Sequence, residues 1–151
     1  MAASGAEVVK LAVTPRSLAD TLRLLTLGRE AAGLARVALV GMGPAGLCTR
    51  ILASRFHSCW TYAGNAVAPG QLPLSTMLEL YGFRSIGDGT AVYGIVGRPI
   101  GHSVSPWIHN AAFQARGIDA VYVPFEAESI EDFRRFALAL DLRGASVTAP
   151  F

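Results

Sequence analysis

The apolar positions of this chain form short runs separated by stretches of helical spacing. Residues 8–13, 37–40 and 59–63 are apolar runs too short for helices, and they predict buried strands. Helices are predicted between or after them, over about 17–28, 47–56 and 74–81. Three strand–helix units in succession are typical of a parallel sheet or barrel.

The pattern breaks at residues 83–91, which carry Gly87-Asp88-Gly89 without periodicity and predict a linker. Strands are then predicted at 92–96, 120–125 and 145–148, with helices over 106–116 and 129–140. The predicted organisation is one unit over 1–82, a linker over 83–91 and a second unit over 92–151. Capping-box patterns open one helix in each unit, at Ser17/Asp20 and at Ser129/Asp132.

Composition, charge and cysteine spacing exclude several classes of protein. Of 151 residues, 52% are hydrophobic and 16% charged, which excludes an intrinsically disordered chain. The net charge of +2 is spread without a basic block, so no nucleic-acid partner is predicted. No apolar run reaches the ~18 residues of a membrane span, and no signal peptide is recognisable. Cys48 and Cys59 lack metal-ligand spacing, so we expect no metal and a cytoplasmic location.

Lys10 is the only lysine of the chain, and it lies in the middle of a predicted buried strand. An apolar site lowers the pKa of a lysine, and the neutral amine attacks ketones to form a Schiff base. The alternative is a lysine that extends to the strand end or pairs with a carboxylate.

A glycine-rich turn, Gly41-Met42-Gly43-Pro44-Ala45-Gly46, matches the GxGxxG dinucleotide pattern between a strand and a helix. That pattern also calls for an acidic residue about 20 positions later, and none occurs between Glu30 and Glu79. A tight strand-to-helix turn is therefore the favoured interpretation. Arg50 on the following helix is a candidate partner for a carboxylate.

The segment 101–110 contains Ser103 and Ser105 directly before Pro106. Ser105 is predicted as the N-cap of a helix that Pro106 begins. Both hydroxyls, with the helix N-terminus, suit a bound carboxylate. Helix capping alone is the alternative, and it accounts for Ser105 but not for Ser103.

Two resemblances follow from these motifs. Residues from about 7 to 83 resemble the C-terminal part of a type I 3-dehydroquinate dehydratase, through Val9-Lys10-Leu11-Ala12, the segment 42–50 and Ala68-Pro69-Gly70-Gln71. Residues from about 92 resemble the start of a shikimate dehydrogenase, through the segments 97–106, 109–110, 122–125 and 147–151. The resemblance implies an α/β fold: the C-terminal three βα units of a TIM barrel, then the start of a substrate-binding α/β domain. This order is that of a fused bifunctional enzyme of the shikimate pathway.

In the first unit, the resemblance implies that Lys10 forms a Schiff base with 3-dehydroquinate. Arg50 would hold the substrate carboxylate, Gln71 would bind hydroxyls, and Met42 would line the pocket. In the second unit, Ser103 and Ser105 would bind the carboxylate of shikimate.

Thr148 would contact the ring hydroxyls of shikimate or support a catalytic lysine. NADPH would reduce 3-dehydroshikimate in the parent enzyme, with an NADP-binding domain outside these residues. The expected partners are thus small molecules, and a plant parent would place the enzyme in plastids.

Some positions depart from the family patterns. Val67 stands where a serine is usual, and Ser146 where many members have asparagine. A histidine acid–base partner is expected upstream of this chain, and a catalytic lysine just after Phe151. The chain alone is therefore expected to be incomplete and inactive, and poorly folded or self-associating. An inactive fragment, or a substrate-binding module without catalysis, is the alternative.

Overall fold

The computed structural model describes residues 5–65 and 68–151, which form two parallel sheets flanked by helices. The elements of the first unit are β1 (Val8–Val13), α1 (Leu22–Ala31), β2 (Arg36–Gly41) and α2 (Gly43–Ile51). Those of the second unit are β3 (Ala91–Gly97), α3 (Ser105–Arg116), β4 (Ala120–Glu126), α4 (Ile130–Leu140) and β5 (Gly144–Val147). Short 3-10 turns cover Ala19–Thr21, Ser54–Phe56 and Phe83–Ser85, and a π-helical turn covers Thr76–Leu80. The predicted parallel α/β architecture is confirmed.

The first sheet pairs β1 with β2 in parallel. Alternate residues of β1 point to opposite faces, and Val9, Leu11 and Val13 pack against the hydrophobic core. Lys10, opposite Ala38 in the register, lies on the other face of β1 and is exposed. The predicted burial of β1 on both faces is therefore wrong, because helices cover only one face of this strand.

The third predicted strand, at residues 59–63, does not form. Only one parallel bridge, between Val37 and Ser58, links this segment to β2. The hydroxyl of Ser58 then accepts a hydrogen bond from the Leu39 amide at 2.9 Å and lies 3.3 Å from the Leu39 carbonyl. The Ser58 hydroxyl thus bonds to the Leu39 amide and carbonyl, which the next residue pair of a parallel ladder would use. The strand pairing with β2 therefore ends there.

The second sheet has the strand order β4-β3-β5, and both pairings are parallel. Each predicted capping box forms in part: the serine hydroxyl accepts its bond, whereas Asp20 accepts from the Arg16 amide and Asp132 from the Glu128 amide instead of from the serine amides. Ser17 accepts from the Asp20 amide at 3.3 Å, and Ser129 accepts from the Asp132 amide at 3.1 Å. The first box opens the 3-10 turn that leads into α1, and the second opens α4.

One hydrophobic core runs through both units. Leu18 and Leu25 of the first unit belong to the same buried cluster as Phe125, Phe133 and Phe136 of the second. The predicted linker 83–91 begins with a 3-10 turn and ends at the first residue of β3. Within residues 5–65 and 68–151, every helix is too short or too polar to cross a membrane.

Candidate functional site

The glycine-rich turn joins β2 to α2 by close packing of its own backbone. A Cβ on Gly46 would lie 2.3 Å from the carbonyl carbon of Gly41, a distance that side chains do not tolerate. The Thr49 hydroxyl donates to the Gly46 carbonyl and accepts from the Gly41 amide, both at 2.7 Å. Gly41 and Gly46 therefore allow the tight strand-to-helix turn that was the favoured interpretation of this segment.

The loop at Ala68–Gln71 closes over the start of α2. The Pro69 carbonyl accepts from the Gly43 amide at 3.0 Å and from Arg50 Nη2 at 3.3 Å. Pro44 has no amide hydrogen to offer. The loop thus engages the Gly43 amide and Pro44 offers none, so two of the first three residues of α2 have no amide for a pyrophosphate.

Arg50 is a buried cation, with 2% of its surface exposed. Among the residues that the structure describes, its Nε has no hydrogen-bond partner, and its guanidinium donates one bond, to the carbonyl of Pro69. Burial lowers the pKa of Arg50 below its ordinary value. No carboxylate within residues 5–65 and 68–151 forms an ion pair with it. A buried guanidinium with spare donors suits a carboxylate ligand.

Lys10 lies on the exposed face of β1, with its Nζ 4.6 Å from the ring centroid of Tyr62. The apolar surroundings predicted for this amine are absent, because Val9 and Leu11 point to the opposite face. The face of an aromatic ring attracts an ammonium group. Lys10 is therefore accessible to a ligand and positioned by an aromatic contact rather than by burial.

Met42 lies beside the loop at Ala68–Gln71, and Gln71 is the last residue of that loop. The Met42 amide donates to the Val13 carbonyl at 2.8 Å, which places Met42 where β1 and β2 end. Gln71 Oε1 accepts from the Ala68 amide at 3.1 Å. Arg50 joins them through Pro69, whereas Lys10 lies three residues before the end of β1. Val67 lies outside the described residues.

The N-cap of α3 lies one residue before the position that the sequence predicted. Val104 is the N-cap residue, and Ser105 is the first residue of α3, so the prediction of Ser105 as N-cap is wrong. The Ser105 amide donates to the hydroxyl of Ser103 at 3.3 Å. Because a serine oxygen best reaches an amide two or three positions ahead, capping falls to Ser103. The Ser105 hydroxyl is half-buried at the start of the helix.

Thr148 follows β5 and is exposed. Its amide donates to the Val96 carbonyl at 3.0 Å, and its methyl group lies against Gly97, where a Cβ would approach within 2.7 Å. The Arg98 amide donates to the Ala149 carbonyl at 3.1 Å. The chain segments that follow β3 and β5 therefore meet at the carboxyl edge of the second sheet.

An aromatic and polar network, which sequence reasoning missed, lies beside this edge. The side chain of Asn110 accepts from the Tyr122 amide at 2.7 Å and donates to the Tyr122 carbonyl at 2.9 Å. His109 stacks on the Tyr122 ring at 4.2 Å, and the Tyr122 hydroxyl donates to Ser146 at 3.0 Å. A buried asparagine on an amphipathic helix was the one sequence signal that this network offered.

Within residues 5–65 and 68–151, no group of three His, Cys, Asp or Glu side chains is placed so that it could hold a metal ion. These residues therefore provide two polar edges, one at the ends of β1 and β2 and one at the ends of β3 and β5. The first offers an amine and a guanidinium, and the second offers hydroxyl groups.

Comparison with known proteins matches two different families to successive parts of the chain. Residues 1–88 match the type I 3-dehydroquinase family, and residues 95–151 match the shikimate dehydrogenase substrate binding domain. The chain is 38% identical over 153 aligned positions to the chloroplastic bifunctional 3-dehydroquinate dehydratase/shikimate dehydrogenase of Arabidopsis thaliana, covering 97% of this chain and 25% of that protein.

A shikimate dehydrogenase (NADP(+)) of Pyrococcus furiosus is 45% identical over 67 residues, covering 44% of this chain and 25% of that protein. Among solved structures, the dehydroquinate dehydratase and shikimate dehydrogenase part of S. pombe AroM is 28% identical. It matches 99% of this chain and 28% of that chain, with a TM-score of 0.44.

The chain spans about a quarter of the length of the Arabidopsis relative. Its two matched segments occur in the order of that bifunctional protein, and they cover nearly all of its residues. The chain belongs to the type I 3-dehydroquinase family, whose model matches residues 1–88, and residues 95–151 are similar to the shikimate dehydrogenase substrate binding domain.

Proposed function

We propose that the first unit contributes to the dehydration of 3-dehydroquinate to 3-dehydroshikimate, and the second to the binding of 3-dehydroshikimate and shikimate. The observation that carries the proposal is Arg50, a buried guanidinium whose Nε has no partner in the described part of the chain. A buried charge without a counter-ion is costly, and the carboxylate of the substrate would supply that counter-ion.

Lys10 is proposed as the Schiff-base residue of the dehydration. Its amine attacks the ketone carbon of 3-dehydroquinate, and loss of water leaves an iminium between Nζ and that carbon. The iminium accepts the electron pair released when the neighbouring carbon loses a proton. The electron pair then returns and breaks the bond to the hydroxyl of the next carbon, which takes up the released proton and leaves as water, and hydrolysis of the iminium restores the free amine.

The loop at Ala68–Gln71 is proposed to hold the substrate over these groups. Gln71 Oε1 is engaged by the Ala68 amide, while its Nε2 has no hydrogen bond among the described residues and is free to donate to a substrate hydroxyl. Met42 lies beside the same loop and would provide an apolar wall. Arg50 also holds the loop through Pro69, so carboxylate binding and loop position share one side chain.

In the second unit, Ser103, Ser105 and Thr148 are proposed to bind shikimate. The Ser105 hydroxyl lies at the start of α3, where the positive end of the helix dipole favours a carboxylate. The Ser103 hydroxyl accepts from the Ser105 amide and keeps its own proton to donate to that carboxylate.

NADP is the cofactor printed in the names of the shikimate dehydrogenase relatives. The glycine-rich turn of this chain does not fit it, because Pro69 accepts from the Gly43 amide and Pro44 has no amide hydrogen. We therefore assign no residue of this chain to NADP and derive no step through it. The cytoplasmic location stays a prediction, and the Arabidopsis relative is named chloroplastic.

The proposal is tested in a chimera in which residues 7–151 replace the matching segment of the Arabidopsis relative. Lys10→Arg is expected to remove the dehydratase activity and leave shikimate oxidation unchanged. Ser103→Ala is expected to raise KM for shikimate about tenfold with little change in KM for NADP. Loss of both activities in each variant would indicate structural roles and contradict the assignment.

A substrate-binding module without catalysis is the second candidate. It predicts that the chimera binds shikimate and 3-dehydroquinate but turns over neither. The exposed position of Lys10 is the observation that leaves this candidate open, since no neighbouring group among the described residues encloses its amine with a bound ketone.

A further inference from the structure

Helix α4 of the second unit begins against the first unit. The carboxylate of Asp132 is 8% exposed, and it accepts hydrogen bonds from the amides of Leu18 at 3.0 Å and Ala19 at 2.8 Å. These amides open the turn Ala19–Thr21 that leads into α1. The first amides of a helix have no partner within the helix, and a negative charge there is favourable. A side chain of one unit thus caps a helix of the other.

The last turn of α4 also contacts the first unit. Arg55 Nη2 donates to the carbonyl of Leu140 at 2.7 Å, and Arg29 Nη2 lies 3.5 Å from the carbonyl of Ala139. These are carbonyls of the last helical turn, which lack partners within a helix and attract cations. The end of α4 is therefore held to the first unit by side chains from α1 and from the turn Ser54–Phe56.

Apolar side chains fill the space between these two polar ends. Leu18 and Leu25 are buried in the same cluster as Phe133, Phe136 and Leu140. Burial of several large side chains at one surface is a major source of stability. The contact is therefore a packed interface and not a flexible connection between the units.

Each unit on its own would leave polar groups of this interface without their hydrogen-bond partners. Without the first unit, Asp132 would keep only the amide of Glu128, at 3.2 Å, as a donor to its carboxylate. Among the described residues, no cation forms an ion pair with Asp132. Without the second unit, the Leu18 and Ala19 amides would lose their acceptor, because the Ser17 hydroxyl serves the Asp20 amide.

We propose that α4 and the start of α1 form a fixed interface between the two units, and that Asp132 couples their folding. The occupant of each surface is the other unit of the same chain. The two sites therefore keep one orientation instead of moving on a tether. This inference rests on the contacts alone and stands whether or not the units catalyse the proposed reactions.

Hydrogen exchange of this chain, followed by NMR or mass spectrometry, tests the proposal at the interface. Asp132→Asn keeps the size of the side chain and removes its charge and one acceptor. We expect the Leu18 and Ala19 amides to exchange about tenfold faster or more in this variant. Asp141→Asn is the matched control, because Asp141 is exposed and asparagine also tolerates its left-handed backbone. Rapid exchange of both amides in the unsubstituted chain would overturn the proposal.

The two tryptophans report on the units separately, since Trp60 lies in the first and Trp107 in the second. The core shared by both units argues for a cooperative fold, contrary to the expectation of a poorly folded chain. In the single-tryptophan chains Trp60→Phe and Trp107→Phe, we therefore expect coincident urea transitions. Asp132→Asn is expected to move the Trp60 transition, and Arg55→Met is expected to move the Trp107 transition, each through the other unit. If each substitution moves only the transition of its own unit, the units fold independently and the proposal fails.

Discussion

Replacement of Arg50 by methionine is expected to stabilise the chain while removing the proposed carboxylate site. The guanidinium is buried, and its Nε has no partner. Keeping an ion in such a site costs several kcal/mol, even after relaxation of its surroundings. Methionine keeps the unbranched apolar stem and removes the charge.

The loss to set against this gain is one hydrogen bond. Arg50 Nη2 donates to the Pro69 carbonyl at 3.3 Å, and bonds of charged groups contribute about 1.5–3 kcal/mol, with a long bond near the lower end. The Pro69 carbonyl keeps its bond from the Gly43 amide at 3.0 Å. We therefore expect the free energy of unfolding to rise by about 1–3 kcal/mol.

Urea unfolding followed by circular dichroism measures this difference. With a slope of about 1–3 kcal/mol per molar urea, the midpoint of Arg50→Met should rise by roughly 1 M. Arg36→Met is the control, because Arg36 is exposed, and it should change stability by less than about 0.5 kcal/mol. A loss of 1 kcal/mol or more in Arg50→Met alone would refute the reasoning and make Arg50 a structural residue.

Three further expectations follow from the packing. Gly46→Ala should destabilise the chain by about 3 kcal/mol or more in urea unfolding, because its Cβ would lie 2.3 Å from the Gly41 backbone, whereas Gly87→Ala meets open space and should change little. Asn110→Leu should cost about 3 kcal/mol, because two buried backbone groups of Tyr122 lose their partners, and a smaller loss would mean that water replaces the amide. Burial raises the pKa of the Cys48 thiol to about 12, so near pH 8 the thiol stays protonated and iodoacetamide should label only the exposed Cys59; rapid labelling of Cys48 in the folded chain would contradict this burial.

The sequence predicted the features that depend on local chemistry. Residue type and spacing predicted the serine caps at Ser17 and Ser129, the tight turn at Gly41–Gly46 and the parallel pairing, and the structure contains them. The spacing of the apolar residues also predicted where nearly every helix lies, because apolar residues at helical spacing must face a core.

Features that depend on which neighbours are present were not predictable in this way. Lys10 is exposed because only one face of β1 is covered, and an apolar run does not reveal which face that is. The strand at 59–63 is interrupted by a single hydroxyl, that of Ser58. The contact of Asp132 with Leu18 joins residues that lie 114 positions apart, and no local pattern indicates it.

The measurement that tests the account most directly is the trapping of Lys10. The chimera is incubated with 3-dehydroquinate and sodium borohydride, which reduces an iminium to a stable secondary amine, and its peptides are analysed by mass spectrometry. The account predicts a substrate-derived mass increase on the peptide that contains Lys10, and none in Lys10→Arg. An active chimera without that modification would contradict the Schiff-base role of Lys10.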